Sequence, residues 1–458
     1  MKVLLISANV ASSPYAVYPL GMSMIAGSLR DAGHVVEQFD FLQAGMSLDA
    51  VADAVRTHEP AVIGVSIRNI DNVNLLNQKK YLVVVRDIVD RVHEETSAPV
   101  VLGGSGFSIM PEAILREAGG DYGIVGEGEK RMVEFVNDAA RGVFPEERCI
   151  RDSSMLTGLE IPSAAYDPEL MEFYLEKGGI GSLQTKRGCT HTCVYCSYPV
   201  LEGASVRARD PKAVVDDIEK LAGDYGARHL FFTDSVFNDG RGQYLGIARE
   251  MKRRRLSIPW TAFFKPEGLD DECVELMVEA GLNSAEIGAD AATDTTLRGL
   301  GKRYRFADVV ACNDLLVRHG VGTAHFYMFG CPGETEATVH AGIENIRNMK
   351  NTVSFIYMGI RILSHTPLAR IAQREGIVDP DQELLEPVYF LEPGIDRDWL
   401  EATLREGFFG LRNCVFPPDL LDSSLQFLHK LGHSGFMLDM VIPGNEKVKG
   451  RRKRHGGK

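Results

Sequence analysis

Cys189, Cys193 and Cys196 stand in a C-x3-C-x2-C spacing, introduced by Lys186-Arg187-Gly188. Thiolates are soft donors suited to iron–sulfur clusters, and each usually binds one iron. Three of them on a four-iron cluster leave one iron open to a substrate or cofactor. Structural zinc is the competing reading. It needs a fourth ligand, His191 lies inside the same loop where it is poorly placed to reach that metal, and no second C-x2-C pair completes a site. The other five of the eight cysteines are scattered, a usage that fits reduced thiols and a metal site better than a disulfide framework.

The elements that position this loop are legible as a second alternating region, 176–375. Strands are predicted near Gly181 to Thr185, His229 to Thr233, Thr261 to Phe264, Ser284 to Ile287, Thr323 to Phe329 and Ser354 to Ile360. Helical stretches alternate with them near Pro211 to Ala222, Tyr244 to Arg254, Asp271 to Ala280, Phe306 to His319 and Glu336 to Met349. Six such units make a partial barrel with its active site at the strand C-termini. The cysteine loop follows the first of these strands.

Residues 1–145 alternate in the same way. Val3 to Ser7, Val35 to Phe41, Ala61 to Ile67, Val100 to Gly103 and Tyr122 to Val125 are short apolar runs suited to parallel strands buried on both faces. Helices are predicted near Leu20 to Asp31, Leu48 to Thr57, Lys79 to Glu95, Pro111 to Glu117 and Glu129 to Ala140. Right-handed crossovers turn this into a doubly wound, flavodoxin-like sheet with ligands at its carboxyl edge. That edge carries Ser66 to Asn69, Gly103-Gly104-Ser105-Gly106 and Gly126-Glu127-Gly128, where glycine permits close backbone approach. Residues 146–175, with Pro162 and Pro168 and little periodicity, read as a linker. In segment 376–458 the pattern weakens, with helices near Asp398 to Arg405 and Asp419 to Leu431.

The formal charge of −13 argues against broad nucleic-acid binding, which needs clustered Lys and Arg. The basic run from Lys447 to Arg454 reads as a solvated tail. The apolar stretch Val3 to Ile6 is a strand rather than a signal peptide. No run approaches the ~18 apolar residues of a membrane helix, and the expected location is cytoplasmic.

Arg187-Gly188-Cys189-Thr190-His191-Thr192-Cys193-Val194-Tyr195-Cys196 resembles the signature loop of the radical SAM superfamily. Phe232 to Phe237, Glu286 to Asp290 and Gly330-Cys331-Pro332-Gly333-Glu334-Thr335 resemble three further motifs of that family. The resemblance implies a 4Fe-4S cluster on Cys189, Cys193 and Cys196. It implies S-adenosyl-L-methionine near Tyr195, Asp234, Glu286 and Asp290, and cleavage of that molecule to a 5'-deoxyadenosyl radical. Carboxylates such as Glu286 and Asp290 accept hydrogen bonds from ribose hydroxyls, and Lys302 and Arg303 are cations for the methionine carboxylate. Cys331 departs from the aliphatic residue usual at its turn and reads as a small buried hydrophobe.

Tyr18-Pro19-Leu20-Gly21, Ala32-Gly33-His34-Val35-Val36, Gly103 to Gly106 and Val125 to Glu129 resemble the cobalamin-binding half of radical SAM enzymes that carry both cofactors. The D-x-H-x-x-G sequence common in cobalamin domains is missing. His34 belongs to the opposite edge of the sheet, so corrinoid binding without a histidine ligand is expected. Ser66, Arg68 and Asn69 are placed below the ring. The loop from Gly103 to Ser108, with Gly104, Ser105, Gly106 and Phe107, is placed around its tail, with Gly126 and Glu127 beside it.

The joint resemblance implies a radical C-methyltransferase that moves a methyl group from methylcobalamin to an unactivated carbon after hydrogen abstraction. The alternatives are a cyclase or oxidoreductase with the same cofactors, and a corrinoid-binding sensor with a structural cluster. A flavodoxin or ferredoxin is the expected reducing partner. The N-terminal wording, Tyr18 to Met22 and Ser66 to Asn72, resembles proteins grouped with lipid biosynthesis, which hints at a lipid-like small-molecule substrate.

Overall fold

The computed structural model describes residues 1–13, 15–151, 154–430 and 435; the basic run from Lys447 onward lies outside them. Its first unit is a six-stranded parallel sheet. Across it run Val35–Asp40, Lys2–Ser7, Val62–Ser66, Val100–Gly103, Tyr122–Ile124 and Cys149–Ile150. Successive side chains of a strand point to opposite faces: Leu4 and Ile6 pack with Val51, Val55 and Val85, whereas Val3 and Leu5 pack with Met22, Met132 and Phe135. The sheet is therefore covered on both sides by helices, as its apolar runs require. Strand order reverses between Lys2–Ser7 and Val62–Ser66, and the crevice at such a reversal is where doubly wound sheets hold ligands.

The second unit is a seven-stranded parallel sheet. Its order is Cys414–Val415, Thr352–Met358, Gly322–Phe329, Leu282–Asp290, Trp260–Phe264, His229–Phe232 and Ile180–Leu183. Six of these are the predicted strands. The seventh comes from the C-terminal segment, and its two residues are too few to show a period. The end strands are not paired with each other, so the barrel is partial. Described residues of the C-terminal segment reach this opening: after the 3-10 turn Pro418–Leu421 comes the helix Asp422–Lys430, and the Gly435 amide donates to the Gly178 carbonyl, 2.8 Å away, beside the first strand.

The stretch 146–175, expected as a linker, is built in. Cys149–Ile150 extends the first sheet, and Pro168–Gly178 is an α-helix. The Asp167 side chain accepts from the Glu169 and Leu170 amides and caps that helix, which Gly179 ends in the left-handed region. Tyr18 packs against Tyr166 and Tyr174 at ring separations of 5.4 and 5.7 Å, and the Tyr166 hydroxyl donates to the Ser182 carbonyl. The segment thus cements one sheet to the other. Among the described residues no helix is long and apolar enough to cross a membrane.

Candidate active site

After Ile180–Leu183 the chain enters a short antiparallel ribbon, Lys186–Arg187 with Arg207–Ala208, that frames the cysteine loop. Gly188 has φ +86°, and a Cβ there would come within 2.1 Å of the Ser205 carbonyl oxygen, so the turn into Cys189 requires glycine. The Cys189 amide donates to the Gly203 carbonyl (3.1 Å) and the Val194 amide to the Leu300 carbonyl (3.0 Å), while the Val194 carbonyl accepts from Leu368 (2.8 Å). The loop backbone is held from three directions. All three cysteines are free thiols. Their charges interact, and burial raises the Cys189 thiol and pushes that of Cys196 up to about 12. Among the described residues no three His, Cys, Asp or Glu side chains are already drawn into a metal-holding set. The donor chemistry nevertheless suits an iron–sulfur cluster: three thiols on one backbone loop, with no fourth protein ligand among the described residues.

Tyr195 and Asp290, two of the four residues expected beside S-adenosylmethionine, meet. The Tyr195 hydroxyl donates to Asp290 Oδ2 at 2.5 Å, and Lys302 forms an ion pair with the same oxygen. The Lys302 ammonium lies 5.6 Å from the Tyr195 ring centre and 5.8 Å from that of Tyr304. Asp290 has φ +64° where the pairing of its strand shifts register, which turns its carboxylate toward the loop. Arg303 is exposed and takes no part.

Asp234 departs from expectation. It is wholly buried, and its carboxylate accepts from the Thr185 amide (2.7 Å), the Thr185 hydroxyl (2.5 Å) and the Lys186 amide (3.2 Å). Its oxygens are spent on anchoring the strand end before the cysteine loop. Lys186, also buried, donates to Asp239 and to the Phe237 carbonyl, each at 2.6 Å. Glu286 departs too, facing a separate cavity away from Asp290. At the Gly330 to Thr335 turn, Glu334 accepts from the Gly330 and Cys331 amides, and Cys331 is buried as expected.

The corrinoid-side crevice is a cleft of about 530 Å3. Of the residues expected there, Ser66, Arg68, Gly103, Gly104, Ser105, Gly126 and Glu127 line it. Asn69, Gly106 and Phe107 do not. The chain forms an unpredicted helical turn, Ser105–Ile109, which rotates Phe107 into the core, fully buried, and backs Gly106 onto Ile67. Ser108, the last residue of the expected loop, does line it, its hydroxyl accepting from the Gly126 amide at 2.9 Å. Gly104 has φ +97°, and a Cβ would come within 2.6 Å of the Ile67 carbonyl oxygen. The cleft continues past the small residue Gly64 between Leu5, Met24 and Met132, giving a wide edge with a slot along the sheet face. That shape fits a flat macrocycle with a tail. Among the described residues no histidine lines the cleft; His34 sits by the Met1 amino group.

The other wall of this cleft is Gln184, Arg187, Tyr198, Glu202 and Phe263 from the barrel. Arg187, next to the cysteine loop, pairs with Glu129 and, at 3.2 Å, with Glu127; Arg207 reaches Glu127 at 2.7 Å. Burial pushes the Glu127 carboxyl up, but Arg207 and Arg187 overcome this and hold it below its ordinary value. Sequence reasoning did not find this clasp, because its partners lie about 60 to 80 residues apart.

The B12 binding domain model matches residues 6–136, and the Radical SAM superfamily model matches residues 183–372. The chain is 28% identical to a tryptophan 2-C-methyltransferase of Streptomyces laurentii, over 80% of this chain and 74% of that protein. It is 24% identical to an uncharacterised methyltransferase of Pyrococcus horikoshii over 98% of both chains. Among solved structures it resembles the radical S-adenosylmethionine methyltransferase TsrM from Kitasatospora setae with cobalamin and a [4Fe-4S] cluster bound. That likeness has a TM-score of 0.84 at 24% identity and covers 99% of each chain. With both models matched in this order along one chain, the protein belongs to the radical SAM superfamily, in the class that carries a B12-binding domain ahead of the barrel.

Proposed function

We propose that the protein is a cobalamin-dependent radical SAM methyltransferase that places a methyl group on carbon in a small molecule. The observation that carries this reading is the shared cleft, whose one wall is the glycine-rich edge of the first sheet and whose other is the barrel beside the cysteine loop. Cofactors on the two sides would face one space, the arrangement that lets two reagents act on one carbon. When bound, the cluster supplies an electron to S-adenosylmethionine and the corrinoid carries a methyl group.

The chain's own residues hold and orient. Cys189, Cys193 and Cys196 would bind the cluster. Asp290, positioned by Tyr195, would accept the ribose hydroxyls, and Lys302 would pair with the methionine carboxylate. Ser66, Gly103, Gly104, Ser105 and Gly126 would cradle the corrinoid. Arg68, exposed at the same edge, would meet the corrinoid there. A guanidinium stays protonated and offers no lone pair, so it would touch the corrinoid without ligating its metal. A flavodoxin or ferredoxin of the cytoplasm is the expected electron donor.

The test supplies substrate, reductant, cobalamin and S-adenosylmethionine with a deuterated methyl group. Intact label on a product carbon is expected, with one S-adenosylhomocysteine per product. One 5'-deoxyadenosine per product would add that the acceptor is an unactivated carbon opened by hydrogen abstraction. Product that gains no label while 5'-deoxyadenosine accumulates would replace the reading with the cyclase or oxidoreductase alternative.

A further inference from the structure

Glu286 faces a cavity of about 900 Å3, within the range of small-molecule sites. Glu286 is only 8% exposed and, among the described residues, forms no hydrogen bond or ion pair. An ionised carboxylate so buried is costly until a cation or donor joins it. Around it stand Phe263, Phe326, Phe355 and Tyr357. Phe326 and Phe355 are stacked with ring centres 5.4 Å apart and planes 15° from parallel, and such a panel favours a ring laid against it.

The charge of the lining is one-sided. Among the described residues Lys79 is its only cation, against Asp87, Glu286, Asp419 and Asp422. Tyr357 feels the charges of Glu286, Asp422 and Asp419 together, so these carboxyls share one chamber. Burial and the neighbouring Asp419 both raise the Asp422 carboxyl, the mark of crowded negative groups that gain from a cation. Tyr15 and Phe263 line both this chamber and the corrinoid cleft, so the two spaces adjoin there.

We infer that this chamber receives the methyl acceptor and that the acceptor is a flat aromatic molecule bearing a basic amine, seated with the amine on Glu286. The aromatic panel takes the ring, and Asp419 and Asp422 of the C-terminal segment draw the cation in. The word acceptor rests on the methyltransferase reading; the ligand chemistry does not. An anionic acid would meet four carboxyls, and a lipid-like chain would leave the flat panel without a ring.

Binding without turnover tests it. Cluster- and cobalamin-loaded protein is titrated calorimetrically at pH 7 with 2-(1-naphthyl)ethylamine, 1-naphthylacetate and decylamine. The naphthyl amine should bind at least about tenfold more tightly than either other probe, the span of one charge-assisted hydrogen bond. Glu286→Gln should weaken the amine about tenfold without weakening the acid, and Phe355→Ala should weaken both naphthyl probes. Should Glu286→Gln lose its cobalamin or its circular dichroism, Asp422→Asn serves, with about a threefold loss expected for the amine alone. Equal or tighter binding of the acid or of decylamine, no binding of the naphthyl amine, or indifference to the acidic substitutions would overturn the inference. The deuterium experiment reads methyl transfer separately, so either conclusion can fail alone.

Discussion

The Arg187 guanidinium, two residues before Cys189, donates to the Glu129 carboxylate across the seam between the two sheets, with both side chains less than one-tenth exposed. Glu129 opens the helix Glu129–Ala139 on the corrinoid side, so one buried ion pair ties the cysteine loop to the crevice edge. Removing one member of a buried pair leaves the other charged and desolvated. Glu129→Ala should cost about 3 kcal/mol, the low end for such pairs, because Glu127 stays on the same guanidinium. Glu401→Ala, which breaks the more exposed pair with Arg405, should cost about 0.5 kcal/mol or less. Urea unfolding of the two variants side by side checks the contrast, and equal losses would mean that the seam is held elsewhere.

Asp290 and Lys302 make a second prediction. Burial alone would lower the Lys302 ammonium, and Asp290 and Tyr195 reverse this and hold it well above its ordinary value. Asn tolerates the left-handed backbone of position 290 but carries no charge. Asp290→Asn should therefore weaken S-adenosylmethionine binding about tenfold or more while cluster content stays near that of the parent. Asp234→Asn should do the opposite, since Asp234 holds Thr185 and Lys186 at the root of the loop: iron content falls first. Equilibrium dialysis with labelled S-adenosylmethionine and iron analysis separate the two outcomes.

The contrast shows where sequence stops being legible. The cysteine spacing is local, so three donors on one loop are readable from the chain alone. The helix Leu20–Asp31 and the strand Val100–Gly103 have the predicted bounds, because an apolar period or a run between glycines is also local. Cys149–Ile150 and Cys414–Val415 were invisible at two residues each, although each completes a sheet edge. The Pro168–Gly178 helix did carry signals, Asp167-Pro168 at its start and Gly179 at its end, which the neighbouring prolines obscured. Motif position also does not give orientation. Asp234 and Asp290 look alike in sequence, but one turns to Thr185 and the other to Tyr195, and only the packed strands decide which. Phe107 shows the same limit, since a helical turn after Gly104 takes it from the cleft to the core.

Cluster ligation separates cysteines of one loop from those elsewhere. Cys193→Ala, Cys189→Ala or Cys196→Ala should each remove most of the iron and the visible absorbance of reconstituted protein and abolish 5'-deoxyadenosine formation. Cys273→Ala and Cys312→Ala should do neither, because Cys273 belongs to the helix Asp271–Glu279 and Cys312 is a buried core residue at 3% exposure. Full iron content in Cys193→Ala protein would remove the assignment.

Glu286 gives a pH dependence that needs no substrate. Burial pushes its carboxyl from 4.5 up to about 8, so between those values the folded state holds a proton that the unfolded chain has released. Stability rises with pH only where the unfolded state binds more protons; here the sign is reversed. The group's contribution is fully favourable below about pH 4.5 and is lost as pH rises to about 8, a difference on the order of a few kcal/mol. Tyr15, Tyr357, Asp419, Asp422 and Lys79 share the chamber and remain in both proteins, so a comparison with Glu286→Gln isolates the one carboxyl. The melting-temperature difference, variant minus parent, should climb steadily from pH 5 to pH 8 and level off above it. A difference that stays flat across this window would mean that Glu286 titrates as an ordinary carboxylate with a partner in solution.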